Sequence, residues 1–406
     1  MMKRLFPAVI LFLYLPAFAL SAYDWGLQLD QTPGAEGVTG ETSDISWSGT
    51  LIPWFSTPLG KDGSLYISAG MTVEYLNKET FFIPELLHTE LAWRFGDNKE
   101  LKLGRIPYTD PLGFIAAGLF DGAMFTLDTN AGAFGAGLWY TGLLYKRSAD
   151  ITVTSDDLVS YYNPLDYTDF TGTYFAPRRL IAALDWNNPY LTERLRLKTT
   201  LIGQFELTEN GERCNSQYLV LKAGIPAGSF VFDLGGAFEL AQVSGETKVS
   251  LAVDLGIGWM LPTPLKDRLM FTGRLTNGTV EDSVFTAFVP VTAVSQGDIL
   301  RAKLSGLSML RLDYTAQLNG TFSFNIADSY FIASDFETYR GFPPVSSGEK
   351  DGYLLGNEFS GRLIWSPFSD LQLNLGGGIF LPSMGNSGST SGALWRMELN
   401  AILAIF

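Results

Sequence analysis

The chain contains one cysteine, Cys214, and one histidine, His88. A single Cys excludes an intrachain disulfide framework and a multi-thiolate metal site. A single His excludes a histidine-cluster metal centre, and any Ser–His chemistry would have to pass through His88. Lying between Glu85 and Glu90, it reads as an ordinary polar side chain of a channel wall. No glycine loop with phosphate-cradling spacing occurs, and no pair of acidic residues has a spacing that demands a hydrolase. After the N-terminal segment no stretch of eighteen apolar residues occurs, so the exported chain has no transmembrane helix. Basic residues are also scarce, 28 Lys and Arg against 42 Asp and Glu, which argues against a nucleic-acid partner. These absences leave no cofactor, no metal and no enzymatic machinery to expect.

What is present is apolar surface without helical spans. The chain is 46% hydrophobic and 14% aromatic. In an exported protein, that composition suits strands that turn one face to lipid. Export itself is read at the N-terminus: Met1–Arg4 is basic, Leu5–Phe18 apolar, and small residues follow at Ala17, Ala19, Ser21 and Ala22. This is a signal peptide over residues 1–22, cleaved after Ala19 or Ala22. No Cys follows, so the chain is not a lipoprotein. Removing Lys3 and Arg4 leaves 26 basic against 42 acidic residues in a single barrel domain over 23–406.

Period-two alternation carries the fold. From Leu310 to Asn325 the apolar set Leu310, Leu312, Tyr314, Ala316, Leu318, Gly320, Phe322 and Phe324 separates cleanly from the polar set between. That pattern is a strand with one apolar and one polar face. Read as unbroken, it is too long for an ordinary globular strand and places the next turn at Ile326–Ser329. Similar runs recur along the chain, and short connections (Pro58–Gly63, Asp97–Lys99, Thr129–Ala131, Asn188–Leu191, Pro226–Gly228, Pro262–Lys266, Pro367–Asp370) alternate with long ones at 32–42, 108–119, 146–176, 279–303, 339–352 and 382–393. Short periplasmic turns alternating with longer external loops are the pattern of a bacterial barrel. The expected fold is therefore all-β: a transmembrane antiparallel up-and-down barrel of eighteen strands, or sixteen if two weak strands merge, with both termini periplasmic. Trp25, Trp54, Trp93, Trp186, Trp259 and Trp365 fall near the short turns and are expected to form one interface girdle.

Residues 99–123, KELKLGRIPYTDPLGFIAAGLFDGA, and 353–382, YLLGNEFSGRLIWSPFSDLQLNLGGGIFLP, resemble the outer-membrane porins of the alginate-export type. The resemblance rests on Leu103-Gly104-Arg105 at a strand end, Phe120-Asp121-Gly122-Ala123 at a strand start, the Gly356-Asn357-Glu358 strand, and Phe380-Leu381-Pro382. It implies a monomeric eighteen-stranded barrel. It does not imply the substrate.

Alternation assigns side chains to the lumen. Arg194, Arg196 and Lys198 alternate with Leu195 and Leu197, and three cations in succession are costly in lipid and cheap in water. The same parity places Arg94, Lys102, Arg179, Lys222, Arg274, Arg311, Asp313, Glu358 and Arg362 inside. Two readings of this mixed lumen stay open. The charges pair across the wall and stiffen it, or Arg179, Arg194, Arg196, Lys198 and Lys222 form a cationic ladder facing an acidic arc, which draws anions along one wall. The 145–176 loop either constricts the lumen or lies outside, whereas the apolar 108–119 loop is expected to fold inward. At the C-terminus, Phe406 has the parity of Arg396 and Glu398, so either it lies beyond the last regular pair or a bulge shifts the register.

The expected function is passive diffusion of small hydrophilic solutes across the outer membrane of a diderm bacterium. The partners are outer-membrane lipid, the barrel-assembly machinery during biogenesis, and small polar solutes. A transporter of hydrophobic substrates, of the fatty-acid type, is the alternative. It usually has a long N-terminal plug, whereas the first strand here begins near Tyr23. A non-channel barrel, enzyme or adhesin, is third.

Overall fold

The computed structural model describes residues 23–76, 78–192, 194–208, 213–243, 245–278, 280–281, 284–285, 287–334, 354–385 and 392–405. Residues 1–22, read above as a signal peptide, the 339–352 connection and Phe406 lie outside the described residues. The alternation becomes eighteen strands in one antiparallel sheet. They are β1 Asp24–Val38, β2 Asp44–Leu59, β3 Gly63–Leu76, β4 Glu79–Arg94, β5 Lys99–Thr109 and β6 Ala117–Thr129. Then come β7 Gly132–Tyr140, β8 Arg179–Thr192, β9 Leu195–Glu206, β10 Cys214–Ala227, β11 Phe230–Val243 and β12 Glu246–Met260. The last six are β13 Arg268–Thr276, β14 Leu307–Gln317, β15 Phe322–Ala333, β16 Leu354–Phe368, β17 Leu371–Leu381 and β18 Leu394–Ile405. The sheet closes because β1 pairs with β2 on one side and with β18 on the other, where Leu27 stands opposite Ile405. Closure leaves no free sheet edge for lipid to meet.

The two faces differ as the alternation requires. On β12, Leu251, Val253, Leu255 and Ile257 are exposed on the outside, while Ser250, Ala252 and Asp254 are buried on the inside. At the rim of short turns Trp25, Trp93, Trp186, Trp259 and Trp365 share parity with the outer leucines. Trp259 stacks on Phe230 and Trp365 on Phe322, at 5.7 and 5.4 Å between ring centroids. Trp54 departs from the expected girdle. Its neighbours Leu51, Pro53 and Phe55 take the outer face of β2, so the indole at the even position turns into the lumen.

The long strand expected over Leu310–Asn325 is two strands. The chain turns at residues 318–321, not at Ile326–Ser329. Asn319 Oδ1 accepts the backbone N–H groups of Thr321 and Phe322 at 2.8 and 2.9 Å, the Asx-turn chemistry of asparagine. Partners across this hairpin, such as Leu310 and Tyr330 or Ala316 and Phe324, have equal parity. Apolar alternation therefore runs through the turn unbroken and conceals it.

The connections at the other rim are uneven. Only two residues separate β3 from β4 and two separate β11 from β12, whereas the 141–178 and 277–306 connections are long. One seam of the wall is also incomplete. β4 pairs with β5 only from Thr89 to Arg94, although β4 begins at Glu79. Above Thr89, side chains replace the ladder. Tyr174 Oη donates to Pro84 O at 2.6 Å, the Phe82 N–H donates to Tyr167 Oη at 2.7 Å, and Arg105 donates to Leu86 O. A small cluster of Ile83, Tyr145, Leu165 and Tyr174 packs there.

Arg105 sits in this seam and also explains the two short motifs of residues 99–123. Its Nε and Nη2 donate to the two carboxylate oxygens of Asp121, both at 2.8 Å. The Leu-Gly-Arg end of β5 and the Phe-Asp-Gly start of β6 are thus the two halves of one bidentate pair. Gly104 precedes Arg105 at φ +123°, and a Cβ there would approach Thr89 O to 2.3 Å, so this bend needs glycine. Arg105→Met alone leaves the half-buried Asp121 carboxylate unpaired and is expected to destabilise the barrel by about 3 kcal/mol, the lower end for a broken buried pair. The loss is read as a lower temperature for losing the compact, folded mobility on a gel. The double variant Arg105→Met/Asp121→Leu should recover part of it. No recovery would mean that the guanidinium acts instead through the carbonyls of Leu86 and Leu143, to which it also donates.

Candidate functional site

Three connections from the long-loop rim fold inward and meet. The apolar segment 110–116 is nearly inaccessible, with Phe114, Ile115 and Ala116 at 0% exposure. Asp110 shapes it: its carboxylate accepts the N–H groups of Leu112, Gly113, Ile115 and Ala116 at 2.8 to 3.1 Å. Burial still outweighs those four donors and pushes the Asp110 carboxyl above its ordinary range. The second connection, 277–306, docks on the first, where the N–H groups of Val291 and Thr292 donate to Ile115 O at 2.7 and 3.1 Å. The third, 141–178, joins both. Ala293 N–H donates to Asp150 O at 2.7 Å, and Lys303 Nζ reaches Thr152 O at 2.5 Å. The expectation that 108–119 turns inward and the open choice for 145–176 both resolve to loops that narrow the lumen. The part played by 277–306 was hidden, since its apolar residues Phe288, Val289 and Val291 read only as a long connection.

The inner wall supplies the anchors. Arg179 has 0% exposure, lies in an ion pair with Asp157 at 2.7 Å and another with Glu206, and donates to Gln204 Oε1 at 2.8 Å and Cys214 O at 3.1 Å. Asp157 in turn accepts the N–H groups of Val153 and Thr154. Arg179 is therefore a clamp for the 141–178 loop and is not free to meet a solute. Glu358 accepts the N–H groups of Asp298, Ile299 and Leu300 at 2.6 to 3.0 Å. Arg311 bridges Asp313 and Asp298 at 3.0 and 3.1 Å. Arg274 pairs with Asp254 at 3.0 Å, donates to Gln296 Oε1 at 2.8 Å and covers the Phe114 ring at 5.2 Å. Sequence reasoning missed Asp110, Asp157 and Asp298. Only the Asp110-Pro111-Leu112-Gly113 turn chemistry offered a signal.

Of the proposed cations, Arg196, Lys198 and Lys222 remain together. Lys198 stands directly opposite Lys222 across β9 and β10, and Arg196 opposite Gly224. Lys222 Nζ lies 3.7 Å from Asp254, an incomplete neutralisation. Arg194 departs from the ladder, because β9 begins at Leu195 and Arg194 sits in the turn before it, with its N–H on Thr192 Oγ1. Arg362 faces inward on β16. Lys102 pairs with Glu90 at 3.0 Å, and Arg94 with Glu100 at 3.4 Å near the short-turn rim. Half the circumference away from β9 and β10, β18 and β1 carry Asn400 and Asp30. Asn400 Nδ2 donates to Asp30 Oδ1 at 2.5 Å and lies 3.0 Å from Thr32 Oγ1. One wall is thus cationic and the facing wall neutral to acidic. No metal-holding group of His, Cys, Asp and Glu occurs among the described residues.

The loop junction contains two groups that burial disfavours when charged. Asp150 is raised to about 6, against the attraction of Lys303. Lys303 is lowered to about 8, although Asp150, Asp157 and Glu239 pull it up, with Arg179 opposing them. The raised acid contributes stability below its ordinary value that is lost as pH rises through about 6. The lowered amine contributes stability above its ordinary value that is lost as pH falls through about 8. Proteolysis of the inner loops is therefore expected to be fastest near pH 7 and slower toward about pH 5 and about pH 9. A profile that only rises or only falls excludes this.

No protein-family model matches the sequence, and no curated protein matches it. Solved structures match in fold. OccK5 (OpdH) of Pseudomonas aeruginosa superposes at a TM-score of 0.63 with 14% identity, covering 95% of this chain and 98% of that one. The outer membrane protein OpdK of the same organism gives 0.63, 13%, 95% and 99%. OccK2 (OpdF) in complex with glucuronate gives 0.61, 13%, 95% and 98%. This is an outer-membrane porin fold. At such identity the likeness extends to the barrel and says nothing of the solute.

Proposed function

We propose that the chain is a passive outer-membrane channel for small hydrophilic solutes, with a charged lumen narrowed by the 110–116, 141–178 and 277–306 loops. The observation that carries this reading is the sidedness of the closed barrel: an apolar outer belt, and ionised side chains with three inward loops on the other face. The short turns and the termini are then periplasmic, and the long loops external. Residues 1–22 are the cleaved signal peptide, the strand ending at Ile405 is what the assembly machinery meets, and the barrel acts as a monomer. The alginate-export type is the family to which the Arg105–Asp121 and Gly356–Glu358 elements fit best. The lumen supports the cationic reading in reduced form, on Arg196, Lys198 and Lys222. That glucuronate is the ligand named for one barrel of this fold is compatible with a pathway for small polar solutes.

Planar-bilayer conductance of the purified, folded protein tests the proposal. Discrete, ohmic, ion-selective openings are expected. Silence across repeated insertions would overturn it and favour a plugged barrel for hydrophobic substrates.

A further inference from the structure

The outer face of β15 to β18 is not evenly covered. Ile326, Gly361, Gly377 and Met397 stand opposite one another in one row across the four strands. The two glycines are direct partners, so the middle of the row has no side chain. Phe324, Leu363 and Leu375 fill the next row toward the short turns, and Asp328, Phe359, Ile379 and Trp395 the next row toward the long loops. The bare backbone is the floor of a groove of about 510 Å³ that runs diagonally from Trp395 to Phe324, with Ile326, Leu363, Leu375 and Met397 as its banks. Ile326 and Met397 are each 56% exposed and share the parity of the apolar belt, so the groove opens on the side that meets lipid. Its banks carry no charge.

Backbone packing does not demand the gap. A Cβ at Gly377 would approach Arg396 O to 2.8 Å, so glycine is needed there. A Cβ at Gly361 would meet only Asn325 O, at 3.5 Å, an ordinary contact. Glycine inside a strand weakens it and marks places where a ligand or another backbone comes close. The size of the notch chooses between them. Three strand spacings of about 4.8 Å and four residues at about 3.3 Å give a patch of about 200 Å². A specific protein interface takes about 800 Å² from each partner, so the notch is too small to define the seat of a second barrel. What surrounds it is the lipid of the belt. Between apolar partners in a membrane, contact and not transfer from water decides association. Lining atoms that face a void forfeit their dispersion contacts, and a flexible unbranched chain can follow a diagonal floor. One end of the groove is marked. Asp328, exposed on the outer face, accepts from Asn357 Nδ2 at 2.8 Å, in the row that holds Trp395. An outward carboxylate and an indole belong where the apolar belt gives way to headgroups.

We propose that this groove seats one acyl chain of a membrane lipid from the leaflet on the long-loop side. The glycerol end lies at the level of Trp395 and Asp328, and the chain crosses Gly361 and Gly377 toward Phe324. The inference rests on the lipid-facing outer wall of the porin fold and not on conduction through the lumen.

The test is photolabelling of the folded protein in phosphatidylcholine vesicles doped with a phosphatidylcholine that carries a diazirine in its acyl chain, with adducts mapped by peptide mass spectrometry. Leu51 and Met71, exposed partners on the belt of β2 and β3, are the reference. Labelling of residues 361–363 and 395–397 is expected to exceed that reference about fivefold, as a handful of added carbon–carbon contacts would give. Gly361→Leu fills the floor and should bring residues 395–397 down to the reference, with compact gel mobility kept. Met397→Ala, which removes a bank without adding bulk, should lower the labelling of residues 361–363 and is the second route if Gly361→Leu does not fold. Labelling spread evenly over the belt, as for annular lipid only, or unchanged in both variants, overturns the site. Cross-links between two copies of the chain through Met397 overturn it in favour of a second barrel. Conductance is a separate reading: a silent barrel that is still labelled selectively keeps the groove and loses the channel.

Discussion

Reversing three charges on adjacent strands, with Arg196→Glu, Lys198→Glu and Lys222→Glu together, is expected to move the pore from anion toward cation preference. These are the cations of the proposed ladder that the inner loops leave unclaimed, and Lys198 and Lys222 face each other across the β9–β10 pairing. A permeating ion about 10 Å from a unit charge in water feels about 0.4 kcal/mol. Inverting three such charges changes that ion's energy by about 2.5 kcal/mol before screening. A Debye length of about 10 Å at 0.1 M salt leaves about 1 kcal/mol, a several-fold change in the permeability ratio. The effect should shrink as salt rises. Reversal potentials under a salt gradient measure it, and an unchanged ratio at low salt would eliminate the cationic wall. Arg179→Gln is the contrasting variant. Arg179 is held by Asp157 and Glu206 away from solvent, so its loss should act through loop position and not through the field.

The second large effect is expected at Glu358. Its carboxylate holds three successive N–H groups of the 277–306 loop, and the loop approaches so closely that a Cβ on Gly297, at φ +83°, would come within 2.7 Å of Glu358 Oε2. Glu358→Ala leaves those donors without an acceptor, at about 1–3 kcal/mol for each one that stays buried. Next to it Arg311 and Ser360 hold the partly exposed Asp298 carboxylate and are worth less, whereas Val291, Thr292 and Ala293 stay tied to Ile115 and Asp150. The segment around residues 297–300 should therefore leave its seat while residues 289–293 stay docked, with a higher single-channel conductance, noisier openings and faster proteolysis between Gly297 and Leu300. Glu358→Gln keeps one acceptor oxygen and should fall between the two. If Glu358→Ala conducts like the unmodified protein, the 277–306 loop does not set the narrowest section.

The strands were legible from residue order because lipid and water impose opposite demands on successive side chains. Leu251, Val253, Leu255 and Ile257 alternate with buried Ser250, Ala252 and Asp254 for that reason alone. Where a turn preserves parity, that signal fails. Leu310 to Asn325 looks continuous because hairpin partners face the same way, and only Asn319 betrays the bend. Trp54 shows the complementary limit, since proximity to a turn says at which rim a residue lies and not toward which side it points. Its parity with Ile52 and Thr50 was in the chain, but the indole's place became plain only against Gly26 of the neighbouring strand.

Residue order by itself determined a closed antiparallel sheet of eighteen or sixteen strands with an apolar outside and a charged inside, because each of those features follows from period two and the spacing of turns; the structure decided eighteen. Tertiary structure alone decided which charges remain available. Arg179, Arg274, Arg311 and Glu358 share the inward parity of Arg196, Lys198 and Lys222, yet the first four are engaged by Asp157, Gln296, Asp298 and backbone N–H groups of loops far away in the chain. Alternation reports the face of a strand. It carries no information about which distant segment folds across that face, and burial of those loops is what separates an anchor from a wall that a solute can touch.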